Sequence, residues 1–224
     1  MSSSGIAITG LIPACWSILV AMTDRPYSEY AASNAAPILE ILQLEFRDSL
    51  RVLEIGSGTG QHAVTFAAAL DHLQWQTSDL DENHAAINTW IAASQLENVL
   101  APLSMDVQTA VVSADSYDAV YSSNTVHIMG IDAVESMYAL VGAALRARGV
   151  FCLYGPFRRN GQFNTRSNAD FDINLRGRDP AMGIRDLEVL DEFAQANGLR
   201  RRRLYAVPSN NNVVVWQKAG GRIT

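Results

Sequence analysis

Residues 52–60 read VLEIGSGTG, an apolar run that ends in three alternating glycines, and the residues after them, QHAVTFAAAL, carry the spacing of a helix. A short apolar run closed by glycine, here RVLEIG at 51–56, is the pattern of a buried parallel strand. Gly56, Gly58 and Gly60 let the backbone approach a ligand closely. The helix start beyond them offers unpaired N–H groups and a partial positive charge. A dinucleotide fingerprint requires G-x-G-x-x-G, and Gln61 occupies the place of its last glycine, which weakens a pyrophosphate reading.

On either side of this stretch the chain alternates between two periods. A helix is expected over 29–44, then strand 51–56, helix 60–70, strand 73–78, helix 82–94, strands 99–104 and 117–122, helix 131–146 and strand 150–154. Such alternation predicts an α/β fold, a doubly wound sheet with right-handed crossovers. After Gly155 the pattern stops, and residues 156–185 are expected to form a long irregular lid or binding loop. A helix over 186–196, closed by Gly198, precedes two strands at 200–207 and 213–217 that flank PSNNN as a hairpin.

The chain has 224 residues, a length suited to one domain, placed here at 23–220. Hydrophobic residues make up 48% and charged residues 18%, which excludes a disordered or charge-tract protein. A formal charge of −6 disfavours binding to nucleic acid or an anionic membrane through overall charge, so neither partner is expected. Two cysteines, Cys15 and Cys152, with no C-x-x-C, point to a reducing, cytoplasmic setting and no metal site. Residues 6–22 form an uncharged apolar run. Without a basic stretch ahead of it the run is a poor secretory signal, and Gly10 and Pro13 make it a poor spanning helix. It reads as an extension upstream of a start at Met22, as a packed N-terminal helix, or as an export signal.

An acid one residue before the strand's end, Glu54, followed by G-x-G-x-G resembles the first motif of class I S-adenosylmethionine-dependent methyltransferases. The resemblance implies a Rossmann-like seven-stranded sheet in the order 3-2-1-4-5-7-6, last strand antiparallel, in three αβα layers. It implies S-adenosyl-L-methionine as cofactor, held by Glu54, Gly56, Ser57, Gly58 and Gly60. It places Asp79, with Leu80 beside it and Asp81 as the near alternative, on the ribose. Met105, Asp106 and Val107 fall to the adenine, and Ser123 and Asn124, with Asn34, to the methionine part. Read alone, Glu54 as a cap on backbone amides and Asp79 as a helix cap are equal alternatives. More narrowly, VLEIGSGTGQHAVTFA, WQTSDLD, NTVHI, LYGPF, SNADFDINLRGRDPAMGIRDLE and PSNNN together resemble the methyltransferase-like twenty-six family over residues 34–217. The chain departs from that family at Ser33, Asn34 and Ala35, where a basic stretch is usual, and at Met182, where tryptophan is usual.

Methyl transfer from a sulfonium needs alignment, worth roughly 7–11 kcal/mol in favourable cases, and removal of one proton, worth about 10² to 10⁴ in rate. His127, just past the fourth strand, is the candidate base, with a plain backbone contact as the alternative; His62 reads as structural and His72 and His84 as solvated. Tyr27 and Tyr30 are candidates to close the site from the first helix. Tyr154, Phe157, Asn211 and Asn212 are candidate contacts for a small methyl acceptor. The lid holds six arginines, Arg158, Arg159, Arg166, Arg176, Arg178 and Arg185, against three aspartates, Asp170, Asp172 and Asp179. Guanidinium forks pair with carboxylate or phosphate, so Arg176 and Arg185 are put first as ligands of a small anionic acceptor; pairing with the lid aspartates is the alternative. RRRR at 200–203 reads as a solvated or edge-protecting strand. The expected function is transfer of a methyl group to O, N or S of a small molecule. A non-catalytic protein that binds S-adenosylmethionine or S-adenosylhomocysteine is the alternative, and a nicotinamide dehydrogenase comes third.

Overall fold

The computed structural model describes residues 25–220. The apolar run at 6–22 lies outside them. In chain order the elements are α1 (Glu29–Glu45), β1 (Arg51–Ile55), α2 (Gln61–Ala69), β2 (Gln74–Asp79), α3 (His84–Ser94), β3 (Val99–Ser104), β4 (Tyr117–Ser123), α4 (Ile131–Ala144), β5 (Leu145–Gly155), α5 (Arg166–Arg178), α6 (Leu187–Ala196), β6 (Leu199–Val207) and β7 (Asn211–Lys218). A single 3-10 turn, Asp81–Asn83, leads into α3.

The strands form one seven-stranded sheet in the order β3-β2-β1-β4-β5-β7-β6, with β7 antiparallel to both neighbours. This is the Rossmann-like methyltransferase arrangement. Four of the five β1 residues are buried, as a strand covered on both faces requires. One face packs Tyr138, Val141 and Leu190 of α4 and α6 against Val120, Phe151 and Trp216. The other packs Ile38, Leu42 and Phe66 of α1 and α2 against Trp75, Tyr121 and Val215. Strand order reverses between β1 and β4, so the crevice outside their carboxyl ends is where an open α/β sheet binds its ligand.

Two boundaries differ from the sequence expectation. The helix expected to reach 146 ends at Ala144, and β5 starts at once with Leu145 in extended conformation. A bend then follows at Arg148, with φ of 65°, and at Gly149, where a side chain would press within 2.9 Å of the Asp118 carbonyl. The second difference matters more. Residues 156–185 are not an irregular loop, because α5 occupies their centre, N-capped by Thr165, whose hydroxyl accepts the Asn168 N–H at 3.3 Å. The cap stands where capping preference would put it.

At the sheet's edge β6 exposes all four arginines at 200–203. Arg201 pairs with Asp191 at 3.2 Å, while Arg202 and Arg203 share Glu45 at 3.7 and 3.5 Å. Among the described residues no helix is long and apolar enough to cross a membrane. No group of three or more His, Cys, Asp or Glu among them is placed to hold a metal ion.

Candidate functional site

The turn after β1 passes three glycines in left-handed conformation. Gly56 has φ of +74°, and a Cβ there would come within 2.6 Å of the Thr125 methyl, so the β4 end fits against a bare backbone. Gly58 has φ of +57° and the opposite surroundings: a Cβ would meet no protein atom within 4 Å. The space over the turn is therefore open to a ligand at Gly58, next to the start of α2.

Two carboxylates hold this turn. Asp79, at the end of β2, accepts the Gly58 N–H at 2.7 Å through Oδ2, and its Oδ1 accepts Leu80 N–H and the Asn83 amide, both at 2.8 Å. With about four lone-pair sites on a carboxylate and three of them taken, one stays free, and taking two ribose hydroxyls requires giving up one of these three bonds. Glu54 is placed differently. It is only 2% exposed, and its Oε2 accepts the Ser57 hydroxyl and the Trp75 indole N–H, each at 3.0 Å. Burial, with Asp79 nearby, pushes its carboxyl up to about 7 against the pull of those two bonds. The Ser57 and Trp75 bonds thus hold Glu54 as a brace on the turn. Ser57 and Gly56 both donate backbone N–H to the Ser78 carbonyl at 3.0 Å. After β3, Met105 and Val107 are buried in the core and only Asp106 between them is exposed; the Met105 sulfur accepts the Ser78 hydroxyl at 3.3 Å. Leu80 is half-exposed beside Asp79.

Gln61 closes the glycine turn on its other side. Its side chain accepts the Ser28 N–H and donates to the Ser28 carbonyl at 3.3 Å, while Trp90 donates to the Pro26 carbonyl at 2.8 Å. The segment ahead of α1 is so pinned over the turn. Deeper in, His62 bonds Asn34 Oδ1 at 2.7 Å and Ala31 O at 3.1 Å, and burial lowers it to about 4, so it is neutral. That is the structural part expected of it. His84, expected to be solvated, is instead half-buried against the Asp79 carbonyl at 3.1 Å.

Beyond the β4 and β5 ends lies a cavity of about 690 Å³. Tyr30, Asn34 and Pro37 of α1, the post-β4 residues Asn124, His127 and Ile128, and Tyr154 and Pro156 form part of its wall. One face of α5, with Asn168, Phe171, Leu175 and Arg178, and the hairpin residues Val207, Pro208, Ser209 and Asn211 complete it. Asn124 makes the turn with φ of 58° and donates its N–H to the Tyr154 carbonyl at 3.0 Å. The Tyr154 hydroxyl accepts from Asn211 at 2.8 Å, and burial raises its pKa. His127 is buried, lies edge-on to Phe171 at 5.4 Å, and its Nδ1 has no partner among the described residues. Burial, then the Arg185 charge, lowers it to about 4, so the imidazole is neutral near pH 7.

Tyr30, Asn34, Asn124, His127, Tyr154 and Asn211 are thus brought together as the sequence suggested, and several other candidates are not. Tyr27 is exposed and outside the cavity wall. Ser123 stands behind Asn124 with its hydroxyl oxygen enclosed by protein. Phe157 is core, not substrate surface, packed among the α4-side residues. Asn212 pairs with Gly155 in the sheet and donates to the Tyr205 carbonyl at 3.2 Å, which turns it from the cavity. Arg176 is tied to Asp172, one helical turn earlier, with Nε to Oδ2 at 2.7 Å. Arg185 is buried and spends its guanidinium on the carbonyls of Val126 at 2.9 Å, Ala181 at 2.7 Å and Met129. It is a clamp on the loop that carries His127, not an acceptor ligand. The cation on the cavity wall is Arg178, and Asn168, Phe171 and Leu175 accompany it. Their spacing of 3, 4 and 3 residues is the signal that a helical reading of the lid would have carried.

The fold is shared with solved structures of low sequence identity. An O-methyltransferase family protein from Burkholderia thailandensis superimposes with TM-score 0.74 at 14% identity, covering 86% of this chain and 58% of that one. The mitomycin 7-O-methyltransferase MmcR gives 0.73 at 14%, covering 85% and 54%. CalO1, a methyltransferase in calicheamicin biosynthesis, solved with SAH bound, gives 0.67 at 19%, covering 84% and 54%. The chain spans little more than half the length of each. At the level of sequence, residues 25–218 match the family described as "Protein of unknown function (DUF938)", and the chain belongs to that family.

Proposed function

We propose that the protein is an S-adenosylmethionine-dependent methyltransferase of the methyltransferase-like twenty-six type, acting on an O, N or S atom of a small molecule. The observation that carries the reading is the juxtaposition of the open glycine turn at Gly58, with Asp79 beside it, and a separate cavity walled by a buried neutral histidine. That structures sharing the fold are methyltransferases supports it.

The residues present fit the cofactor. The open face of Gly58 would leave room for it, and Asp79 would accept a ribose hydroxyl on the lone pair that its bonds to Gly58, Leu80 and Asn83 leave free. When bound, S-adenosylmethionine supplies a methyl carbon already activated by its sulfonium, so that an acceptor lone pair forms the new bond and the sulfur leaves as a thioether. The protein then has three tasks. Gly58, Asp79 and the pinned segment ahead of α1 would hold and cover the cofactor. Asn124, with Asn34, would meet the methionine part, and Tyr154 and Asn211 fix the acceptor from the strand ends. The His127 imidazole takes the acceptor's proton and passes it to solvent. A neutral imidazole as weak as this one suits acceptors with an acidic proton, such as a phenol or carboxylic acid, better than an aliphatic alcohol.

Calorimetry with S-adenosylmethionine, S-adenosylhomocysteine and NAD tests the cofactor. Binding of both adenosyl ligands and not of NAD is expected; no heat with either adenosyl ligand would sink the reading. Transfer of labelled methyl into a metabolite extract then tests catalysis.

A further inference from the structure

The cavity's chemistry is lopsided. Among the described residues none of the wall is an aspartate or glutamate, and its one charged side chain is Arg178, in the last turn of α5. Arg178 has no acidic partner within ion-pair distance among the described residues, unlike Arg176, Arg166 and Arg158 of the same lid. A protonated amine entering this space would meet a cation and no counter-charge. An anion would find an unpaired guanidinium fork.

The same helix measures the ligand. Phe171 and Arg178 lie seven residues apart on one face of α5, about 10 Å along the axis at 1.5 Å per residue. The long arginine side chain leans back toward the helix N-terminus, which shortens that span. His127 stands against Phe171 at one end of the cavity wall, so the two polar side chains sit at opposite ends of an apolar stretch. Leu175 lies between them on the helix. The wall also includes Pro37, Pro208 and Tyr154, surfaces that suit a flat body.

We propose that this cavity takes a flat organic acid, its carboxylate paired with Arg178 and its methyl-accepting atom at the His127 end. The placement of the reacting atom rests on the methyltransferase reading. The preference for an acid rests on the cavity alone.

The probe pair is 4-hydroxybenzoate and 4-hydroxybenzamide, the same ring with and without the charge, titrated by ligand-observed NMR into the full chain with S-adenosylhomocysteine present. The acid is expected to bind roughly tenfold tighter than the amide, the size of one charge-assisted hydrogen bond at a cavity rim. Arg178→Gln should abolish that ratio while leaving S-adenosylhomocysteine affinity as it was, and Arg178→Lys should restore part of it. Equal binding of acid and amide, failure of both to bind at millimolar concentration, or a ratio that survives Arg178→Gln would overturn the proposal. Failure of the methyltransferase reading looks different: S-adenosylhomocysteine does not bind, while the acid preference and its loss in Arg178→Gln persist.

Discussion

Replacing Glu54 by Gln tests whether the carboxylate that braces the glycine turn is carried as a neutral acid. Its carboxyl is pushed from 4.5 to about 7, chiefly by burial. At about 1.36 kcal/mol per pKa unit, that difference is on the order of 3 kcal/mol between the two protonation states. Because the folded value lies above the unfolded one, the contribution to stability is complete below pH 4.5 and is lost as pH rises through about 7. Above that the chain stays folded at the expense of a buried charge. Gln cannot ionise, and its amide oxygen can still accept the Ser57 hydroxyl and the Trp75 indole N–H that Glu54 Oε2 accepts now. Urea unfolding followed by tryptophan fluorescence at pH 5, 6.5 and 8 measures the effect. The variant should gain on wild type steadily with pH, by an amount on the order of 3 kcal/mol at pH 8, or several degrees in Tm at roughly 2–4 °C per kcal/mol for a chain of this size. A gap between the two proteins that stays constant from pH 5 to 8 would refute the reasoning, since only a titrating Glu54 makes it grow.

The pH dependence of methyl transfer should carry the mark of His127. The base must be neutral, and its pKa is lowered from 6.5 to about 4, so kcat/KM should hold level down to about pH 5 and fall only as pH drops through about 4. An acidic limb centred near 6.5 would assign the proton transfer to another group; His127→Gln should cost about 10² to 10⁴ in rate. The two arginines that the sequence put first should behave as structural parts. Arg176→Ala should leave acceptor KM and kcat at wild-type values, because the guanidinium serves Asp172. Arg185→Ala should lower stability in urea by roughly 2–5 kcal/mol, as the Val126, Met129 and Ala181 carbonyls lose a charged donor, with S-adenosylhomocysteine affinity unchanged. A stable Arg185→Ala protein that lost only acceptor affinity would return that residue to the site.

The parallel core was legible because its signals are local. VLEIG is apolar throughout as a doubly covered strand must be, and the glycines and the helix behind them follow within a few residues. The sheet order followed from the class I resemblance, and β7 lies antiparallel between β5 and β6 as that resemblance implied. What escaped was decided by contacts between distant segments. Glu54 sits in the first motif, yet its partner Trp75 arrives 21 residues later and holds the carboxylate as a brace on the turn. Gln61 was read only as a missing glycine, whereas its side chain holds Ser28, 33 residues earlier, over the same turn. The helix α5 was missed because only Ala169, Phe171, Ile173 and Leu175 are apolar among its 13 residues, too few for a buried stripe of the usual width.

That one missed helix accounts for the misassignment of the lid arginines. In a loop, Arg176 and Arg178 are near-equivalent neighbours, and counting charges cannot separate them. On a helix of 3.6 residues per turn they point about 200° apart. Arg176 then falls one turn after Asp172 and lies against Gly183, whose missing side chain would otherwise collide with it at 2.3 Å. Arg178 is carried round to the stripe of Asn168, Phe171 and Leu175 that faces the cavity. Arg185, outside the helix, is drawn in to the carbonyls on either side of His127. The local excess of positive charge in the lid therefore does not reach the cavity as a diffuse field. It reaches it as one guanidinium on one helix face, in the same cavity wall as the neutral His127 imidazole, and a charge fixed in that way favours a ligand by the position of its own charge.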